Sequence, residues 1–135
     1  MPGTREYVTD PVPGAHVILD GSPAAPGEAR ELIVETLASA PARAVAVAEL
    51  LASELVAAAV RHGSPRLAFA VHRQGDSARI EVAEQTAEVD KAAIAAIDPA
   101  PEEEWSTRIL EALARRHGRE MRSDGMMTWV EIDIR

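Results

Sequence analysis

Two hydrophobic periods divide the chain into helical and extended segments. From Glu28 onward Ala29, Leu32, Ile33, Thr36, Leu37 and Ala40 recur at three- and four-residue intervals, the pattern of an amphipathic helix covering a sheet. Pro41 ends that helix or begins the next. A second helix is predicted over Ala48 to Gly63, AELLASELVAAAVRHG, with no Gly or Pro before Gly63 and a stop at Gly63, Ser64 and Pro65. On it Leu51, Leu55, Ala59 and His62 share one stripe, and Glu54, Ala58 and Arg61 share the adjoining one. A carboxylate therefore stands beside an almost bare patch.

The period of two appears in three places. Val17 and Leu19 alternate with His16 and Ile18 in a strand from Ala15 to Asp20, turned by Asp20-Gly21. Leu67, Phe69 and Val71 alternate with Ala68, Ala70 and His72; after the turn Gln74-Gly75-Asp76-Ser77, Arg79 and Glu81 alternate with Ile80 and Val82. Leu67 to Ala83 is thus an antiparallel pair. Thr128, Val130, Ile132 and Ile134 alternate with Trp129, Glu131, Asp133 and Arg135, paired back to Arg119–Arg122 through Asp124-Gly125. Between these pairs a short helix is predicted over Lys91–Ile97 and a longer one over Trp105–His117, ended by Gly118.

Residues 1–14, with Pro2, Gly3, Pro11, Pro13 and Gly14, form a flexible or extended lead-in, and residues 15–135 a single domain. The order strand, helix, helix, two strands, helix, two strands predicts an α/β two-layer sandwich: a mixed, mostly antiparallel sheet with helices on one face.

Composition narrows the setting. At 135 residues one domain can bury a sizeable core without a staple, and cysteine is absent, so no thiolate metal site or disulfide framework exists. No basic lead precedes an apolar run and no run is long enough to cross a bilayer; a cytoplasmic protein is expected, with no membrane partner. A net charge of -8, from 22 acidic against 14 basic residues, opposes attraction to phosphate backbones and anionic lipid, so nucleic acid is not an expected partner. Apolar residues make up 47% but aromatics only 3%, which predicts a core of small side chains and close helix–sheet packing.

The stretch Ser53 to Gly63 resembles the first nucleotide-binding helix of the Bergerat-fold (GHKL) ATPases, in the branch of small bacterial anti-sigma-factor serine kinases, where it reads roughly S-E-L-V-x-N-A-V-x-H-G. Ala29–Leu32 and Glu35–Leu37 are similar to that branch's opening helix. The resemblance implies a Bergerat (histidine-kinase-like ATPase) fold over Ala29 to Ile134, with ATP held between helices and sheet. It implies Glu54 as general base for a hydroxyl attacking the γ-phosphate. It also implies three positions of nucleotide recognition, each substituted in this chain. Ala58 stands where an asparagine would coordinate magnesium, and a methyl group cannot. Glu84 stands where an aspartate would accept from the adenine amino group. Glu104, Trp105 and Ser106 stand where a glycine-rich turn would bring backbone N–H groups to the phosphates, and a carboxylate at Glu104 would repel them.

Each of these side chains also has a plainer reading. Glu54 can be a solvated helix residue paired with Arg61 or Arg43, and Glu84 a strand-end charge facing water. His62 can be a proton donor or a ligand, but a packed histidine at a helix C-terminus, where its cation suits the dipole, is the stronger reading. His16, His72 and His117 are scattered over separate elements, and no metal motif is formed. Trp105 can fill the old pocket or anchor a partner; Met126 and Met127 can fill the core or form an adaptable contact surface.

The three substitutions together predict a regulatory protein-interaction module resembling an anti-sigma factor, with nucleotide binding weakened or lost. Its expected partner is a sigma factor or anti-sigma antagonist, with a homodimer as a further option, and no cofactor is expected. Two alternatives stand beside it: an active ATP- and magnesium-dependent serine/threonine kinase using Glu54, and a sensor of a different small ligand.

Overall fold

A computed structural model describes residues 6–8, 14–85, 101–122 and 125–135, with 6–8 and 101–106 given by their backbone alone. The elements in order are β1 (Glu6–Val8), β2 (Gly14–Asp20), α1 (Ala25–Thr36), α2 (Ala42–Arg61), β3 (Arg66–Gln74), β4 (Ser77–Gln85), α3 (Pro101–Leu113), β5 (Arg116–Arg122) and β6 (Gly125–Asp133). The strands form one sheet in the order β1-β2-β3-β4-β6-β5. The fold is α/β, an arrangement compatible with a two-layer sandwich.

Every neighbouring pair is antiparallel, so among the described residues the sheet is not mixed as expected. The reason lies in the connections. Two successive helices join β2 to β3 and return the chain beside β2 running the opposite way, whereas a single crossover helix would have made the pair parallel. Within residues 1–14, Glu6–Val8 is an extended strand paired with His16–Ile18, and Gly14 belongs to β2. Main-chain pairing builds this strand without any need for the periodicity that residues 1–14 lack.

Strand parity assigns the sheet's two faces. Leu67, Phe69 and Val71 of β3, Ile80 and Val82 of β4 and Val130 and Ile132 of β6 are buried and join the apolar stripes of the helices in one core. From α2 come Ala44, Ala48, Leu51, Ala52, Leu55, Val56 and Ala59, a stripe whose four alanines let the helix lie close to its neighbours. Helix α2 begins at Ala42, with Pro41 at the N-cap position, six residues before the predicted start. The run Ala42–Val47 satisfies the helical pattern but lacks the larger apolar residues that mark it. In contrast α3 stops at Leu113, and His117 and Gly118 lie in β5 rather than at a helix end. Pairing with β6 extends β5 back to Arg116, which overrides the helical spacing of His117 with Leu113.

Met126 and Met127 are buried, which removes the reading of an exposed methionine surface. The helix predicted over Lys91–Ile97 lies outside the described residues, as does the side chain of Trp105. Among the described residues no helix is long and apolar enough to cross a membrane.

Candidate functional site

The C-terminal end of α2 determines the geometry of the site. His62 caps the helix, Gly63 takes φ +82°, its N–H bonds to the carbonyl of Val60 at 3.0 Å, and that of Ser64 bonds to the carbonyl of Ala59 at 3.4 Å. This pair of bonds is the Schellman closure, which needs a left-handed residue and finds a glycine there. The closure delivers His62 and Ser64 to one place, beside the end of β4.

Glu84 meets them. On β4 it has the same parity as Ala78, Ile80 and Val82, so its side chain turns toward the helices and is only 5% exposed. Its carboxylate accepts from the Ser64 hydroxyl at 2.6 Å, and His62 Nδ1 lies 3.0 and 3.1 Å from its two oxygens. With an ionised carboxylate as acceptor, the imidazole carries a proton on Nδ1. Both oxygens are thereby engaged within the protein. Glu84 is not the water-facing strand end that its charge suggests, and His62 is the packed helix-end histidine, with this carboxylate as its partner.

A cavity of about 160 Å³ opens beside this cluster between α2, α3 and the sheet. Glu54, Leu55, Ala58 and His62 of the α2 end, Val82 and Glu84 of β4, Thr107 and Leu110 of α3, Arg119 of β5 and Thr128 of β6 line it. Three of the residues singled out from the sequence, Glu54, Ala58 and Glu84, therefore converge on one cavity although they lie up to thirty positions apart. Ala58 presents a methyl group to it. Glu104 and Ser106 belong to the backbone of α3, just ahead of Thr107; their side chains lie outside the described residues.

Size and donors limit what the cavity can do. An apolar cavity of about 150 Å³ holds one benzene ring, and this one is of similar volume. Among the described residues no group of three or more His, Cys, Asp or Glu side chains could hold a metal ion. The residues present do not fit the magnesium nucleotide that the resemblance implies: the position it implies for the metal ligand carries a methyl group, and the carboxylate it implies for adenine is already bonded.

Ser64, Thr107, Arg119 and Thr128 were not singled out from the sequence. Ser64 was read as punctuation after a helix, and only its hydrogen bond to a residue 20 positions away makes it part of the site. The burial of Glu84, by contrast, was available from parity with Ile80 and Val82.

A second buried carboxylate lies on the opposite face of the sheet. Glu131 accepts from Arg116 at 2.6 Å and from Arg79 at 3.3 Å, and Arg79 also bonds to Glu81 at 2.6 Å. Hydrogen bonding to Arg116, reinforced by its charge and by Arg79, holds the Glu131 carboxyl below the usual carboxylate range in spite of burial. The Arg79 guanidinium also stacks 4.3 Å from the centre of the Trp129 ring. That ring packs against Gly118, where a Cβ would come within 2.9 Å of its atoms. In comparison with known proteins, the chain matches no family model and no curated protein at a significant level.

Proposed function

We propose that the chain is a regulatory protein-interaction module with a Bergerat-like fold, resembling an anti-sigma factor, in which nucleotide binding is weakened or lost. One observation carries this reading: the Glu84 carboxylate, at the position implied for adenine recognition, is buried and bonded by His62 and Ser64. To accept from an adenine amino group it would have to give up an internal partner, and a buried group left without one costs about 1–3 kcal/mol. Ala58, which lines the same cavity, supports the same reading. The partner that fits it is a sigma factor or an anti-sigma antagonist.

Calorimetric titration with ATP and ADP, with and without magnesium, tests this, backed by thermal melting at high nucleotide. No heat of binding and no shift in melting are expected. A ligand present at 100 times its dissociation constant would stabilise the fold by about 2.7 kcal/mol, a readily visible shift. Magnesium-dependent binding would overturn the reading. It would favour the kinase alternative, which has its own support in Glu54 lining the cavity; transfer of phosphate to a protein substrate, lost in Glu54→Ala, would then be decisive.

A further inference from the structure

Among the described residues the sheet ends at β5, and no further strand pairs with its outer edge. Nearly the whole strand is exposed, including Met121 at 46%. Such an edge offers a row of main-chain donors and acceptors to another strand. Its side chains contrast with the rest of an acidic chain: four of the 14 basic residues, Arg115, Arg116, Arg119 and Arg122, lie within eight positions, against one acid, Glu120. Arg116 stays 68% exposed and Arg122 49% exposed even while paired with Glu131 and Glu120.

The spacing of these arginines discriminates among strands. In an antiparallel pairing with a second copy centred on Arg119, Arg119 would face its own equivalent and Arg116 would face Arg122. Like charges directly opposite are destabilising. A strand with an acid at every third position would instead meet Arg116, Arg119 and Arg122 together, in either direction, because the spacing is symmetric about Arg119. In that register the edge disfavours its own copy, and its charge suits an acidic strand.

We propose that the outer edge of β5 binds an extended acidic segment of a partner protein by strand addition, with acids at every third residue and an apolar side chain against Met121. The proposal goes beyond the reading of the cavity; Arg119 also lines that cavity, but nucleotide titration reads the cavity and the peptide reads the strand edge, so the two fail separately.

The test uses the full chain and a short Thr/Val peptide carrying Glu at every third position, titrated while backbone amides are followed by NMR and hydrogen exchange. Saturable binding is expected, with slowed exchange in β5 and its partner β6, and weakening as salt is raised. Replacing the central residue of the peptide by Pro, or gathering its glutamates into one block, is expected to lower affinity at least about tenfold, roughly 1.4 kcal/mol. The double variant Arg119→Ser/Arg122→Ser, which leaves the Glu131 pairs intact, is expected to lose as much while melting as a folded protein. Absence of saturable binding, equal binding of the Pro peptide, or protection away from β5 would each overturn the proposal. So would preference of β5 for a single-stranded oligonucleotide over the peptide.

Discussion

Glu84 and Glu131 are both buried carboxylates on neighbouring strands of one sheet, yet they face opposite sides and are held by different chemistry. Glu131 is only 7% exposed but is ringed by two guanidiniums, whose charge is permanent across the range in which proteins fold. Glu84, 5% exposed, relies on a hydroxyl and an imidazole presented by the end of α2. The first arrangement locks strands together, since Arg79, Arg116 and Glu131 come from β4, β5 and β6. The second fastens a helix end to the sheet beside a cavity. Fixed cations serve structure on the face away from the helices, whereas a hydroxyl and an imidazole hold the carboxylate beside the cavity.

The largest effect should come from Glu131→Ala. It removes hydrogen bonds between charged groups, worth about 1.5–3 kcal/mol, and leaves Arg79, only 23% exposed, with Glu81 as its remaining carboxylate partner. Urea unfolding at neutral pH should show the loss. The same pair should set an acid limit. The folded pKa of Glu131 lies below its ordinary 4.5, so its stabilisation is complete above that value and is lost as pH falls through the lower folded value. A smaller acid-induced decrease in the midpoint for Glu131→Gln than for the unmodified chain would check the sign; equal decreases would separate acid sensitivity from this cluster.

Glu84→Ala should cost less, about 1–2 kcal/mol, because water entering the adjacent cavity can replace part of what Ser64 and His62 lose. A cost equal to that of Glu131→Ala would mean that the cavity does not admit water and would erase the contrast between the two faces. Amide exchange at Ser64 should accelerate in this variant more than exchange in β6.

Gly118→Ala should be the mildest. Its Cβ would fall 2.8 Å from the nearest Trp129 ring atom, so the ring must shift off the strand. Overpacking costs about 1–3 kcal/mol, offset by about 0.5–1 kcal/mol from replacing glycine within a strand. A net loss near 1 kcal/mol is expected, with a change in the near-ultraviolet circular dichroism of Trp129 as it leaves Arg79. An unchanged spectrum would show that the ring does not depend on the bare backbone beneath it.

Much of this fold was legible in the chain. The alternations in Leu67–Ala83 and Thr128–Ile134 identified β3, β4 and β6, and the apolar stripe of Leu51, Leu55 and Ala59 identified the buried side of α2. Glu54, Ala58 and Glu84 are legible in the sequence as candidate positions, and they line one cavity. Less legible were β1, made by pairing rather than by pattern, and the start of β5, where the partner strand prevailed over a helical spacing. Glu131 was read only as an alternating strand position, since nothing local to it indicates that Arg79 and Arg116 will meet it.

Local chemistry explains both outcomes. Helix periods, strand alternation and the Gly63 stop depend on residues within a few positions of one another, so the sequence by itself determined the elements and which face of each is apolar. Which carboxylate would be met by guanidiniums and which by Ser64 and His62 depends on strand order and on the angle at which α2 delivers its end to β4. Those contacts join residues 15 to 52 positions apart, and only the tertiary structure decided them.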